Sequence, residues 1–269
     1  MSSRLGGRRW KRLPHSGVYR FRDGDVVCSD ALECLRLLRD EIADVVFLDP
    51  PFNLGKQYAG RAPALDKKNE TEYYSYLGSV IRRCCEILKP GGALYLYHIP
   101  RWGIRFAPML AKHLEFRHWI AIAMKNGFVR GRRLYPAHYA LLYFTKGMPS
   151  VFHRPKIPPP VCRSCGEYIR DYGGYKRFVE QGINLSDIWD DVSPVRHSNR
   201  KNRASNELPP VIPQRALAIS GKRGGLLIDP FAGAGTTLLA AREAGMRFVA
   251  VDCEARFCAL MKRRLSKRP

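Results

Sequence analysis

Residues 45–52, Val-Val-Phe-Leu-Asp-Pro-Pro-Phe, constrain this chain more than any other stretch. Four apolar residues in a row, without polar alternation, suit a strand covered on both faces, as in a parallel sheet. The run stops at a carboxylate, which puts Asp49 at the carboxyl end of a central strand, where open α/β sheets carry their chemistry. Pro50 and Pro51 donate no backbone hydrogen bond and hold φ near about −65°. A stiff turn therefore presents Asp49, the Pro50 carbonyl and the Phe52 ring together. Two acceptors beside an aromatic plate suit a flat, amine-bearing ring, with the acceptors on its NH2 and Phe52 against its face. A strand end followed by a Pro-rich turn is the plainer reading of these four residues taken alone.

A second segment lies far downstream. Residues 226–237 read Leu-Leu-Ile-Asp-Pro-Phe-Ala-Gly-Ala-Gly-Thr-Thr and lead into a helical pattern over 238–244. A buried strand, a glycine turn and a helix start bring backbone amides close to a ligand. Gly233 and Gly235 allow close approach and positive φ. No Gly-Lys-Ser/Thr follows, which disfavours a triphosphate cradle, and Leu238 stands where a dinucleotide fingerprint has its third glycine. Asp252 closes another buried run, near the distance at which dinucleotide-type folds put an acid on ribose hydroxyls; a helix cap is the alternative. Asp30 closes a strand-like run over 25–30 and is expected beside the strand ending at Asp49. A helix with Leu32, Leu35, Leu37 and Leu38 follows, and Asp30 suits its N-cap.

These segments resemble the β group of DNA amino-methyltransferases. Asp49, Pro50, Pro51 and Phe52 match the family's Asp/Asn/Ser-Pro-Pro-aromatic motif, and Asp229 to Thr237 match its Asp-Pro-Phe-x-Gly-x-Gly-Thr-Thr loop. The resemblance implies an α/β fold: a doubly wound, mostly parallel Rossmann-like methyltransferase sheet, circularly permuted, with a small inserted recognition lobe. Strands ending at Asp229, Asp252, Asp30 and Asp49 are expected side by side. The implied cofactor is S-adenosyl-L-methionine, held by Asp229, Phe231, Gly233, Gly235, Thr236 and Thr237. Asp30 is expected on its adenine amine, Asp252 on its ribose and Asn206 at its methionine part, although the family's usual Thr-Gln-Lys-Pro pattern is absent there. The resemblance also implies that a base flipped out of duplex DNA stacks on Phe52 while Asp49 and the Pro50 carbonyl hold its amine. Transfer is direct, with no nucleophilic cysteine. In the family Asp heads the motif mostly in adenine enzymes and Ser mostly in cytosine enzymes, so Asp49 favours N6 of adenine over N4 of cytosine. An RNA methyltransferase and a catalytically silent DNA-binding subunit are the readings from other classes.

Charge agrees with a polyanionic partner. The 269 residues carry 46 Lys and Arg against 24 Asp and Glu, a formal net charge of +22, which favours double-stranded DNA. Lys125, Arg130, Arg132 and Arg133 interleave with Gly127, Phe128 and Gly131, which suits a phosphate clamp or, equally, an ordinary solvated charge run. Arg163, Lys176 and Arg177 fall in the Pro- and Gly-rich stretch 149–203, where the family has its target-recognition segment. Cys162-Arg-Ser-Cys165-Gly166 has zinc-knuckle spacing, but a tetrahedral site needs four ligands, so no metal is assigned. The expected divisions are a flexible basic arm (1–16), a catalytic half (17–148), the lobe (149–203) and a cofactor half (204–269). Elsewhere the pattern predicts a helix from Tyr73 to Leu88 ended at 90–92, strands at 93–98, 119–124 and 138–144, and a capped helix opening near 204–206. No apolar run approaches the roughly 18 residues of a membrane span and no secretory signal opens the chain, so a cytoplasmic protein without membrane contact is expected. A cognate restriction endonuclease and a homodimer stay open as partners.

Overall fold

The computed structural model describes residues 9–12, 14, 17–54, 68–123, 132, 134–162, 164–168, 180–193 and 207–266. In chain order its first half comprises β1 (Val18–Arg20), β2 (Gly24–Cys28), α1 (Ala31–Leu37), β3 (Ala43–Leu48), α2 (Glu70–Ile87), β4 (Leu88–His98), α3 (Pro100–Ala111), β5 (Glu115–Ala123) and β6 (His138–Thr145). The rest comprises β7 (Lys156–Ile157), β8 (Ile183–Asn184), β9 (Ile188–Trp189), α4 (Val211–Ser220), β10 (Leu226–Asp229), α5 (Thr236–Glu243), β11 (Arg247–Asp252) and α6 (Ala255–Ser266). Nine strands form one sheet in the order β1-β2-β11-β10-β3-β4-β6-β5-β9. The five strands from β2 through β4 run parallel, and antiparallel partners flank them.

The apolar run of β3 has a direct explanation. Val46 and Leu48 pack into a core with Leu35 of α1, Leu77 of α2 and Phe106 of α3. Val45 and Phe47 pack on the other face with Ile212 of α4, Leu238 of α5 and Met261 of α6. Helices of the first half thus cover one face and helices of the second half the other, so the 45–48 run of β3 is apolar on both faces.

The permutation is visible in the strand order. β10 and β11, late in the chain, fit between β2 and β3. All four acid-terminated strands lie side by side, but the one before Asp30 is separated from the one before Asp49 by both inserted strands. That corrects the expected adjacency of those two.

Several boundaries differ for identifiable reasons. α2 stops at Ile87, and Leu88 already pairs with Ala43 in β4, so Pro90, Gly91 and Gly92 lie within a strand. Pro90 bars helical backbone at Lys89, which forces the earlier exit. The helix expected from 204–206 begins only at Val211, with Pro210 as an N-cap that makes no side-chain bond. Pro209 and Pro210 exclude helix from the residues before them. Residues 9–12 are docked rather than free: Trp10 is 4% exposed and its Nε1 donates to Asp25 at 3.3 Å. Of the stretch 149–203, β7 and β8 pair with each other, whereas β9 extends the main sheet beside β5 and buries Trp189.

Candidate active site

One cavity of about 240 Å³ opens at the carboxyl ends of the central strands, and both sequence motifs line it. Asp49, Pro50, Pro51 and Phe52 form one wall; Asp229, Phe231, Gly233, Thr236 and Thr237 form the other, with Asp30 and Asp252 also lining it. Segments some 180 residues apart meet because β3 and β10 are neighbours, pairing Leu227 with Val45 and Ile228 with Val46.

The glycine turn is held from within. Gly233 has φ +50° and its amide donates to Asp252 Oδ2 at 2.9 Å. The other Asp252 oxygen accepts from the Glu254 amide at 2.8 Å. A Cβ on Gly233 would meet nothing nearer than the Phe231 carbonyl at 4.0 Å, so its α-carbon borders open space. Gly235 differs: it has φ +85°, caps α5, and a Cβ there would lie 2.8 Å from Met261 Cγ. It shapes the turn without lining the cavity.

Asp229 is buried and accepts from the Phe231 amide at 2.9 Å and from the Thr237 hydroxyl. Burial raises its carboxyl to about 7 against those two donors, with Asp252 adding to the rise. Burial likewise lifts Asp49 well above the usual carboxylate range, and Asp229 lifts it further. Part of the Asp49 surface stays open to the cavity. On its other side stand Tyr97 and Tyr139, whose phenols are raised by burial first and by the Asp49 charge second. Both rings lie near Phe52, with centroids at 5.9 Å and 5.7 Å. Asp49 therefore joins an acidic compartment to an aromatic one.

Asp30 is the expected N-cap of α1 and also lines the cavity. Oδ1 caps α1 through the Leu32 and Glu33 amides at 2.8 and 3.1 Å, while Oδ2 accepts from Tyr76 at 2.7 Å and borders the cavity. Asn206 lies outside the described residues. Its neighbour Glu207 lines the cavity and accepts from Arg264 at 2.6 Å and Thr236 at 3.3 Å. Tyr73, Tyr76 and Glu207 escaped the sequence reading; the first two share the helical stripe of α2 that reads as packing.

Among the expected phosphate contacts only Arg132 is described, and it is exposed; Lys125, Arg130, Arg133, Arg163, Lys176 and Arg177 lie outside the described residues. Beside Cys162 and Cys165, the Gly166 amide donates to the Cys162 carbonyl at 2.9 Å. Among the described residues no group of three or more His, Cys, Asp or Glu side chains is arranged to hold a metal. No helix among them is long and apolar enough to cross a membrane.

Known proteins share this chain's sequence and fold. The type II methyltransferase M.BamHI of Bacillus amyloliquefaciens is 40% identical over 247 residues, which cover 91% of this chain and 57% of that protein. The chain thus spans little more than half the length of that relative. Two solved structures share the fold. The PvuII DNA methyltransferase, described as cytosine-N4-specific, superposes with a TM-score of 0.64 at 15% identity, covering 91% of this chain and 87% of that one. The M1.HpyAVI–SAM complex gives 0.60 at 18% identity, covering 90% and 98%. Residues 43–263 match the family model described as DNA methylase, a span that takes in both motifs, and the chain belongs to this DNA methylase family of the N6/N4 class.

Proposed function

We propose that this chain moves a methyl group from S-adenosyl-L-methionine to an exocyclic amine of a base in duplex DNA. The observation that carries the reading is that Asp49 and Phe52 line the same cavity as the Gly233 turn. The cavity suits the cofactor: the α-carbon of Gly233 borders open space, and acids at Asp30 and Asp252 offer acceptors for an adenine amine and ribose hydroxyls. Bound there, S-adenosylmethionine supplies an electrophilic methyl group on a sulfonium.

The chain's own residues do the rest. Asp49 and the Pro50 carbonyl accept from the target NH2 and turn its lone pair toward the methyl group, while Phe52, backed by Tyr97 and Tyr139, carries the face of the flipped base. As positive charge grows on the nitrogen, the Asp49 carboxylate stabilises it, and the methylated amine then releases its surplus proton to solvent. Residues 17–148 form the catalytic half, 204–269 the cofactor half, and the basic stretch 149–203 the recognition lobe. Asp49 at the head of the motif favours adenine N6; the family itself spans N6 and N4 chemistry, and cytosine N4 is the alternative. A cognate endonuclease and a second copy of the chain remain proposed partners.

The test is incubation with labelled S-adenosylmethionine and mixed-sequence duplex DNA, then digestion to nucleosides and mass spectrometry. N6-methyladenine is expected. N4-methylcytosine keeps the mechanism and overturns the base. Cofactor binding without any methylated nucleoside overturns the assignment to duplex DNA and turns the search to RNA or to a silent subunit.

A further inference from the structure

A buried hydrogen-bonded chain ends on the backbone of the 49–52 turn. Tyr73 Oη donates to the Pro51 carbonyl at 2.6 Å and lies 2.7 Å from His98 Nε2. The Ile99 amide donates to His98 Nδ1 at 2.8 Å. Nδ1 therefore carries the lone pair and Nε2 the proton. One direction satisfies every bond: His98 Nε2–H donates to Tyr73 Oη, and the Tyr73 proton goes to Pro51. Burial pushes the His98 imidazole down to about 3, so the ring stays neutral and this direction holds across the physiological range. His98 also stacks on Phe52, with centroids 4.9 Å apart at 27°. It is 0% exposed, and Tyr73 is 3% exposed.

Counting dihedrals shows what the chain of bonds controls. The rings of Pro50 and Pro51 fix both φ angles, and Pro51 restricts ψ of Pro50. Pro50 likewise restricts ψ of Asp49, so the soft angle left between the α-carbons of Asp49 and Phe52 is ψ of Pro51. A hydrogen bond on the Pro51 carbonyl sets that angle, and the His98 ring supports Phe52 on the far side of it. One imidazole thus braces the Pro51 carbonyl, through Tyr73, and the Phe52 ring directly.

We propose that Tyr73 and His98 are positioning residues for amine methylation, fixing the turn so that Asp49, the Pro50 carbonyl and Phe52 converge on one base. The proposal rests on reading residues 49–52 as the catalytic turn. Transfer rate, cofactor affinity and melting temperature are to be measured for Tyr73→Phe, His98→Leu, His98→Gln and Asp49→Ala. Tyr73→Phe is expected to lower kcat by about 10- to 100-fold, the scale of a small misalignment, with S-adenosylmethionine affinity unchanged within about twofold. His98→Gln, whose amide NH2 donates where Nε2–H did, is expected to recover much of what His98→Leu loses. Nitrogen NMR of the native protein is expected to show Nδ1 unprotonated and Nε2 protonated, with the Nε2 resonance shifting in Tyr73→Phe. Native kcat in Tyr73→Phe, or a Gln variant no better than Leu, overturns the proposal. If Asp49→Ala still methylates, the reading of the turn itself fails; if it is inactive while Tyr73→Phe is native, only the positioning role fails.

Discussion

Asp49 and Asp229 stand at the carboxyl ends of adjoining parallel strands, two carboxyls raised in the same sense, Asp49 by burial first and by the Asp229 charge second. Two like charges in one poorly solvated site oppose ionisation, and a cation between them relieves that opposition. The sulfonium of S-adenosylmethionine is such a cation, whereas S-adenosylhomocysteine has a neutral thioether in the same framework. The preference for S-adenosylmethionine over S-adenosylhomocysteine should therefore grow, by about tenfold per unit of displaced pKa, as pH rises from about 6 to about 8. Calorimetry of both ligands across that range checks it. A preference independent of pH would remove these carboxyls from the sulfonium's surroundings.

Asp229 also makes a stability prediction. Its folded value of about 7 lies above the ordinary 3.8, so the native state holds this proton more tightly than the unfolded state does. The corresponding stability is present in full near and below about pH 4, declines as pH rises, and is lost by about pH 7. Asp229→Asn does not titrate. The melting temperature of the native protein minus that of the variant should accordingly decrease between about pH 4 and about pH 7. A difference that stays level or grows over that range would mean that Asp229 is already ionised in the fold at the acid end.

What was legible in the sequence follows from which physical signal each element emits. β3, β10 and β11 are covered on both faces, so each reads as an unbroken apolar run ending in an acid, and the Gly233 and Gly235 turn announces itself by composition. The brace on the catalytic turn emits neither signal. Tyr73 and Tyr76 sit on α2 with their rings in its apolar stripe, and their hydroxyls act at the tips, on Pro51 and Asp30. Hydrophobic periodicity cannot see the tip of an amphipathic side chain. β7, β8 and β9 have two residues each, too few to show any period. β2 and β3 follow one another in the chain and read as neighbours, but β10 and β11, which come late in a permuted chain, stand between them.

Trp10 illustrates the same limit and can be tested. Residues 1–16 read as a basic arm, yet Trp10 bridges to Leu38, donates to Asp25, and is followed by Lys11, whose amide bonds the Leu37 carbonyl at 2.7 Å. A single anchor has no periodicity to betray it. Trp10→Ala empties a buried indole site and should cost about 3–5 kcal/mol in denaturant unfolding. A loss below about 1 kcal/mol would return residues 9–12 to the expected free arm.

The two glycines of the turn should separate binding from folding. Both have positive φ, so any side chain at either costs about 1–2 kcal/mol of backbone strain. Beyond that they diverge. At Gly233 a side chain grows into the cavity, with nothing nearer than 4.0 Å to its Cβ, whereas at Gly235 the Cβ collides with Met261, a fully buried residue of α6. Gly233→Val should weaken S-adenosylmethionine binding by at least about tenfold while melting close to a control carrying only the strain. Gly235→Ala should show the larger fall in melting temperature, because the Met261 side chain must shift within a packed core, with affinity of the folded fraction within about threefold of native. Titration calorimetry and thermal unfolding on both variants read the two effects independently. The opposite pattern, with binding lost at Gly235 and stability at Gly233, would mean that the cofactor approaches the turn from the side that Met261 now fills.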